Sequence, residues 1–269
     1  MVTNSENVVL RDSSNCVIIG SGFAGMILAR RLRELGQRVV VIESGALQEP
    51  GRWVLSVSSF AKADYMMGQD YIDLHVQRMF GGSAIVWGGW CAALRSVNFV
   101  QGRFPGYTGW PIPYGEVAAY YASAGQVLGL KKAADIGIEE IALPGNSEVA
   151  VKPYDLSPPV RINNDWLEAT QEDPGLILVT ETTVERLDEM PDGVRLHLRS
   201  RDGKISTIVA PRIVLAAGSV IGPALLGKSA ETLSIAVESR PHIGRNLLEH
   251  PYIYSAGSLI VRPNLAPLI

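Results

Sequence analysis

The stretch NCVIIGSGFAGMILARRLRELGQRVVVIESG, beginning at Asn15, narrows the fold more than any other part of this 269-residue chain. Cys16 to Ile19 is a short apolar run, rich in β-branched side chains, of the kind that forms a strand buried on both faces. It enters Gly20-Ser21-Gly22-Phe23-Ala24-Gly25 and then a helical stretch, Met26 to Leu35, with Ala29 and Leu32 on the inward face and Gly36 at the end. A second β-branched run, Val39 to Ile42, stops at Glu43-Ser44-Gly45. Strand, glycine loop, helix, strand and acid, in that order and spacing, predict a βαβ unit that grips a dinucleotide. Gly20 allows the tight turn, Gly22 admits backbone close to a pyrophosphate, and Gly25 lets the helix lie against the sheet. Phe23 and Ala24 complete the loop, and the helix N-terminus turns its N–H groups and positive dipole end toward the phosphates. Glu43 is placed to accept hydrogen bonds from a ribose 2′-hydroxyl and would repel a 2′-phosphate, which counts against NADP. The loop alone does not separate NAD from FAD.

Composition removes other classes. A net charge of −3, with cations scattered apart from Arg30-Arg31-Leu32-Arg33, gives a nucleic acid nothing to hold. The two cysteines, Cys16 and Cys91, have neither metal-ligand spacing nor the numbers for a disulfide framework, so both are expected to be reduced, and no metal site is expected. The N-terminal stretch has no signal-peptide pattern, and the longest apolar run, 213–227, is broken by Gly218, Gly222 and Pro223. The expectation is a cytoplasmic protein with no membrane partner.

Two later segments bear on the nucleotide. In Arg78-Met79-Phe80-Gly81-Gly82-Ser83-Ala84-Ile85-Val86-Trp87-Gly88-Gly89-Trp90, glycine pairs flank an apolar stretch, which means either two tight turns or backbone pressed against a flat or charged ligand. Strands at 179–187, 194–199 and 206–209, joined by Pro191-Asp192-Gly193 and Asp202-Gly203 turns, predict an antiparallel meander inserted into the nucleotide-binding sheet. A buried strand at 212–216 then leads into Ala217-Gly218-Ser219, small residues at a strand's C-terminal end, where α/β sheets bind ligands.

Taken together these segments resemble the glucose–methanol–choline (GMC) oxidoreductases, FAD-dependent flavoproteins that oxidise alcohols and sugars. The resemblance runs in order through Gly20-Gly22-Gly25 with Glu43-Ser44-Gly45, Gly81-Gly82-Ser83 with Trp87-Gly88-Gly89, and Gly109-Trp110-Pro111-Ile112. It continues through Tyr120-Tyr121 with Leu128-Gly129, Ala216-Ala217-Gly218-Ser219, and Ile243-Gly244-Arg245-Asn246-Leu247-Leu248-Glu249-His250-Pro251. The Trp-Gly-Gly variant is most similar to the branch acting on sugars and glycosides. The resemblance implies FAD, with Glu43 on the adenosine ribose, Gly20, Gly22 and Gly25 on the pyrophosphate, and Gly82, Ser83 and Trp87 to Gly89 along pyrophosphate and flavin. Val184 matches the position whose backbone meets the adenine. Some relatives attach flavin through a histidine where this chain has Val86, so the FAD is expected to be non-covalent.

In this family hydride passes from the carbon bearing the alcohol to flavin N5 while a histidine late in a chain about twice this length removes the hydroxyl proton. None of the four histidines here matches that position. His75 precedes the second glycine stretch, His197 alternates with Leu196 and Leu198 and is expected to face solvent, His242 is expected in a loop, and His250 fits the Asn-Leu-x-x-His-Pro segment, which is not the base. No catalytic residue is therefore assigned. The tail from Tyr252 reads as one or two apolar strands without later strands to pair with, which leaves open edges. A complementing polypeptide carrying the C-terminal half is the expected partner, since it restores both base and sheet; a fragment of a longer chain or self-association are the alternatives. The substrate expected is a small alcohol, sugar or glycoside, and the competing reading is a non-catalytic flavin-binding subunit or truncated relic.

The expected fold class is α/β: a Rossmann-like FAD-binding fold with an inserted antiparallel β-meander, plus an incomplete α+β substrate domain. Residues 13–50, 76–97 and 176–250 form the expected FAD-binding domain, and 51–75, 98–175 and 251–269 the substrate or cap domain. In the second of these, 116–128 is expected to be a helix and 131–155 a surface excursion; Trp90, Arg95, Trp110 and Trp166 could reach a sugar ring, and a structural role is at least as well supported for each.

Overall fold

The computed structural model describes residues 2–3, 16–48, 76–101, 109–130, 141–143, 146–151, 154–158, 160–245 and 247. The chain divides into two compact units, Met1–Val86 with Arg161–Glu249, and Trp87–Val160 with His250–Ile269.

The first unit is built on a parallel sheet. Strand β2 (Cys16–Ile19) pairs with β3 (Val39–Ile42) in register Cys16↔Val39 through Ile19↔Ile42. All eight residues are buried, as expected of a strand covered on both faces. β1 (Val2–Thr3) and β8 (Leu176–Val179) extend the sheet beyond β3, and β12 (Arg212–Leu215) extends it beyond β2, giving the order β1-β8-β3-β2-β12. Helix α1 (Phe23–Glu34) is the crossover between β2 and β3; it buries Gly25, Met26 and Ala29, while Leu32 stays half-buried. The helix begins three residues earlier than the apolar periodicity suggests, because its first turn is the nucleotide loop itself.

An antiparallel meander of β9 (Thr182–Met190), β10 (Gly193–Ser200) and β11 (Ile205–Ala210) follows β8. Its inner face, Leu187, Leu196 and Leu198, joins Val17, Ile19, Val40, Ile42, Val179 and Leu225 in one core. Each fully buried leucine side chain there contributes about 2 kcal/mol by leaving water. The run expected as one strand at 179–187 is two. Val179 ends β8 in the parallel sheet, Glu181 turns the chain at φ 52°, and Thr182 opens β9 in the meander. Helix α6 (Gly218–Ser229) packs on β9, where Leu187 N–H donates to Ser229 Oγ at 2.9 Å and Thr232 Oγ donates to the Leu187 carbonyl at 2.6 Å.

Short helices α4 (Ile162–Asp165) and α5 (Leu167–Glu172) belong to this compact unit. Asp173 beyond α5 takes a forked contact from Arg33 of α1, at 3.0 and 2.9 Å. Trp166 is buried under the Arg30 guanidinium, 4.5 Å from the ring centre, so it is a packing residue and not a sugar platform.

In the second unit, the helix expected over 116–128 is two, α2 (Tyr114–Ala118) and α3 (Tyr121–Val127), with Ala119 and Tyr120 between them. Phe99, Trp110, Tyr114 and Tyr121 form a chain of ring contacts with centroids 5.5–6.5 Å apart. β4 (Trp90–Cys91) pairs antiparallel with β7 (Asp155–Leu156). Part of the expected surface excursion is a β-ladder of β5 (Ile141–Leu143) and β6 (Asn146–Val151). Both cysteines are free, and burial pushes both thiols above the ordinary thiol range. Among the described residues no helix is long and apolar enough to cross a membrane, and no group of three or more His, Cys, Asp or Glu could hold a metal.

Candidate functional site

The C-terminal ends of β2, β3 and β12 meet at the glycine loop. Gly20 N–H donates to the Ile42 carbonyl at 2.8 Å, and Ala216 N–H donates to the Ile19 carbonyl at 2.8 Å. Gly20 has φ +104°, and a Cβ there would lie 2.5 Å from the Ala216 oxygen. A Cβ on Gly25 would lie 2.0 Å from the Gly20 oxygen. No other residue type fits either place without moving backbone, so the close approach of loop, helix and neighbouring strand depends on them.

Gly22 is the N-cap of α1 in extended conformation, without a side-chain cap, and no acid occupies the first turn, whereas Arg31 and Arg33 lie in the last. Phe23 and Ala24 open that turn. A 12-residue helix with its N-terminus left uncapped by its own side chains suits a diphosphate, which supplies both acceptors and negative charge. The cradle without Cβ atoms and this helix end therefore fit the phosphates of FAD.

Glu43 at the tip of β3 is buried, 5% exposed. Its Oε2 accepts from Ser21 N–H at 3.2 Å and Ser21 Oγ at 2.6 Å; its Oε1 accepts from Gly45 N–H at 2.8 Å and Ser44 Oγ at 3.3 Å. Ser21 Oγ in turn accepts from Gly81 N–H at 3.0 Å. On the other side Arg78 Nε donates to Ser44 Oγ at 3.1 Å, and Arg78 Nη2 donates to Thr183 Oγ1 at 3.1 Å. One hydrogen-bonded chain thus runs from the Gly81 turn through Ser21, Glu43, Ser44 and Arg78 to β9. Burial pulls the Arg78 guanidinium below its ordinary range, and the Glu43 carboxylate pulls it back up.

The structure brings most of the expected cofactor residues together in the first unit. Gly81 precedes a 3-10 turn, Gly82–Ile85, that holds Ser83, and Gly82 lies against Gly22, within 3.5 Å of its Cα for an added Cβ. Ala217 caps α6 and Gly218 begins it, directly after the Ala216 carbonyl that touches Gly20. Val184 on β9 packs against the shared core, one residue from Thr183. Trp87, Gly88 and Gly89 fall in the second unit, where Trp87 Nε1 donates to the Val160 carbonyl at 2.9 Å and Ser157 N–H donates to the Gly89 carbonyl at 2.8 Å. Ser21, Arg78 and Thr183 were not singled out from sequence. A serine between two loop glycines and an arginine before a glycine pair are visible there, but only folding brings them to Glu43.

Of the histidines, His75 and His250 lie outside the described residues, as does the tail from Tyr252. His197 does not simply face solvent. Its Nε2 lies 2.5 Å from Asp188 Oδ2 and 3.1 Å from Arg186 Nη2, and this contact chiefly holds the Asp188 carboxyl below the usual carboxylate range. His242 ends a 3-10 turn, Arg240–His242, instead of lying in an open loop.

Two family models match the chain. Residues 15–89 match the FAD binding domain, and residues 160–252 match the GMC oxidoreductase model. No curated protein matches. Among solved structures, a fungal aryl-alcohol oxidase is 17% identical with a TM-score of 0.53, over 82% of this chain and 48% of that one. Pyridoxine 4-oxidase from Mesorbium loti is 22% identical with a TM-score of 0.48, over 80% of this chain and 51% of that one. The chain spans about half the length of each. The matched domains imply FAD as the cofactor, and the aryl-alcohol oxidase shares the fold.

Proposed function

From a chain that carries FAD-binding and GMC oxidoreductase domains, we propose the nucleotide-binding part of an oxidoreductase acting on the hydroxyl of an alcohol, sugar or glycoside. The observation that carries this is the cradle at Gly20 and Gly25 beside a helix end with no side-chain cap, in the same segment that matches the FAD-binding model. Gly20, Gly22, Phe23, Ala24 and Gly25 offer backbone to the diphosphate, with Gly81, Gly82, Ser83, Ala217 and Gly218 bordering the same loop. Glu43 and Ser44 meet the adenosine ribose and Val184 the adenine. Trp87, Gly88 and Gly89 serve the flavin side. Val86, half exposed and without a nucleophile, supports non-covalent attachment. When bound, FAD supplies the hydride acceptor for oxidation of the substrate carbon.

We propose that the proton acceptor lies in a C-terminal GMC half outside this sequence, with a complementing polypeptide as its carrier; none of the four histidines here matches the basic position that the family resemblance implies. The test is purification of the chain with and without a co-expressed polypeptide of that kind. Yellow flavin released by acid, with flavin reduction by alcohols or sugars only in the co-expressed sample, is the expected result. Flavin bound but never reduced with the partner present would favour a non-catalytic flavin-binding subunit. Protein that stays colourless after FAD addition removes the proposal.

A further inference from the structure

The Glu43–Gly45 segment is already fixed by its backbone. Thr182 N–H donates to the Glu43 carbonyl at 3.0 Å, Glu181 N–H to the Gly45 carbonyl at 2.9 Å, and Phe80 N–H to the Ala46 carbonyl at 2.9 Å. The last belongs to a parallel bridge between Ala46 and Met79, and the contact is so close that a Cβ on Gly45 would lie 1.9 Å from the Arg78 oxygen. Glu181 makes its bond from φ 52°, a conformation that non-glycine residues adopt at a cost and that recurs at ligand sites. The Arg78 side chain is therefore not needed to hold these three segments together.

A guanidinium taken partly out of water forfeits hydration, which the nearby Glu43 carboxylate partly offsets. What the arginine adds is orientation. It donates to Ser44 from Nε and to Thr183 from Nη2, leaving the Ser44 hydroxyl proton to point at Glu43 Oε1. The carboxylate is then held from both sides, by Ser21 on Oε2 and by Ser44 with Gly45 N–H on Oε1. Perturbed charged groups placed this way cluster at functional sites.

We propose that Arg78, bridging Ser44 and Thr183, is a positioning residue that orients Glu43 and Ser44 toward the adenosine ribose and so sets the affinity for the ADP moiety of the cofactor. This rests on the placement of the adenosine ribose at Glu43. Nε and Nη2 of the guanidinium are committed to hydroxyls beside a carboxylate, so the site takes a ribose with free hydroxyls and these two donors do not recruit a 2′-phosphate.

The test titrates the chain with ADP and with 2′-phospho-ADP, and records the thermal midpoint without ligand. Arg78→Met is expected to lower ADP affinity about tenfold or more at a thermal midpoint near that of wild type, the loss of a charge-assisted contact to the ligand-binding groups. Arg78→Lys keeps the charge without the fork and falls between. Thr183→Val, which cuts one arm, costs about threefold, and its effect does not add to that of Arg78→Met. Wild type is expected to prefer ADP over its 2′-phosphate. Arg78→Lys that binds ADP as wild type does overturns the proposal, even if Arg78→Met fails to fold, and so does additivity of Arg78→Met with Thr183→Val. Wild type that binds no ADP overturns the ribose placement itself, a separate failure visible before any variant is made.

Discussion

The two compact units bury their apolar residues very differently. In the first, Ile18, Met26, Phe80, Leu178, Leu187 and Leu196 are all fully buried. In the second, Leu130 is the one buried hydrophobic residue among those described, while Trp90, Tyr120 and Leu156 are each 64–71% exposed. The first unit has a sheet covered on both faces and a meander closing over the same core, so hydrophobic burial stabilises it from within. Among its described residues the second shows short ladders and ring-to-ring contacts, the ring contacts contributing about 1 kcal/mol each. The difference teaches where the nucleotide loop gets its support: Gly20 and Glu43 follow strands in which every residue is buried.

Glycine substitutions put the largest strain on that contrast. Gly25→Val places a side chain where the Gly20 oxygen already lies within 2.0 Å of a Cβ, so it should cost more than about 4 kcal/mol and abolish FAD retention. Gly115 in α2 has open space around it, and Gly115→Ala should be neutral or stabilising by up to about 1 kcal/mol. Denaturation midpoints and flavin content check both. Equal effects would mean the loop is looser than its packing indicates.

A leucine pair tests the cores directly. Leu196→Ala removes a fully buried side chain and should cost about 3 kcal/mol. Leu156→Ala, 64% exposed, should change stability by less than about 0.5 kcal/mol. A large loss at Leu156, read by urea unfolding, would show that something covers it in solution.

These contrasts also explain what sequence could and could not disclose. β2, the loop, α1 and β3 were legible because local chemistry and tertiary role agree there: β-branched runs, paired glycines, a terminal acid. The break between β8 and β9 was not, since Thr180-Glu181 carries neither glycine nor proline; the left-handed turn at Glu181 is imposed by its bond to Gly45 and by Arg201. The split of α2 from α3 escaped for a similar reason, as Ala119 and Tyr120 suit a helix interior. Site chemistry divided the same way. Glu43 stood out at a strand tip, whereas Arg78 and Thr183 lie 105 residues apart and converge only in the fold.

Glu43 sharpens the contrast at the level of single polar groups. Glu43→Gln keeps the shape but replaces one accepting oxygen with a donor among N–H and O–H groups that need an acceptor. It should cost about 1–3 kcal/mol of unit stability and weaken FAD retention. Glu43→Arg should lose FAD more completely, because a cation then faces the Arg78 guanidinium. Flavin content after gel filtration reads both, and retention as in wild type would refute the placement of Glu43.

The smallest effect concerns the contact that fastens α1 to the end of α5. Hydrogen bonding from Arg33 chiefly holds the Asp173 carboxyl below the usual carboxylate range, with Gly175 N–H adding to it. A depressed folded pKa means stabilisation that is complete above the unfolded value, about 3.9, and is lost as pH falls through the folded one. The side chains of Arg33 and Asp173 are 21% and 26% exposed, so solvent screens the pair and it contributes about 1 kcal/mol or less. Wild type should therefore lose stability below about pH 4 that Arg33→Met does not, a gap of about 2–4 °C or less in thermal midpoint for a unit of this size. If both proteins lose stability in parallel over that range, acid sensitivity of the first unit resides in other carboxylates, and Asp188 beside His197 is the next to test.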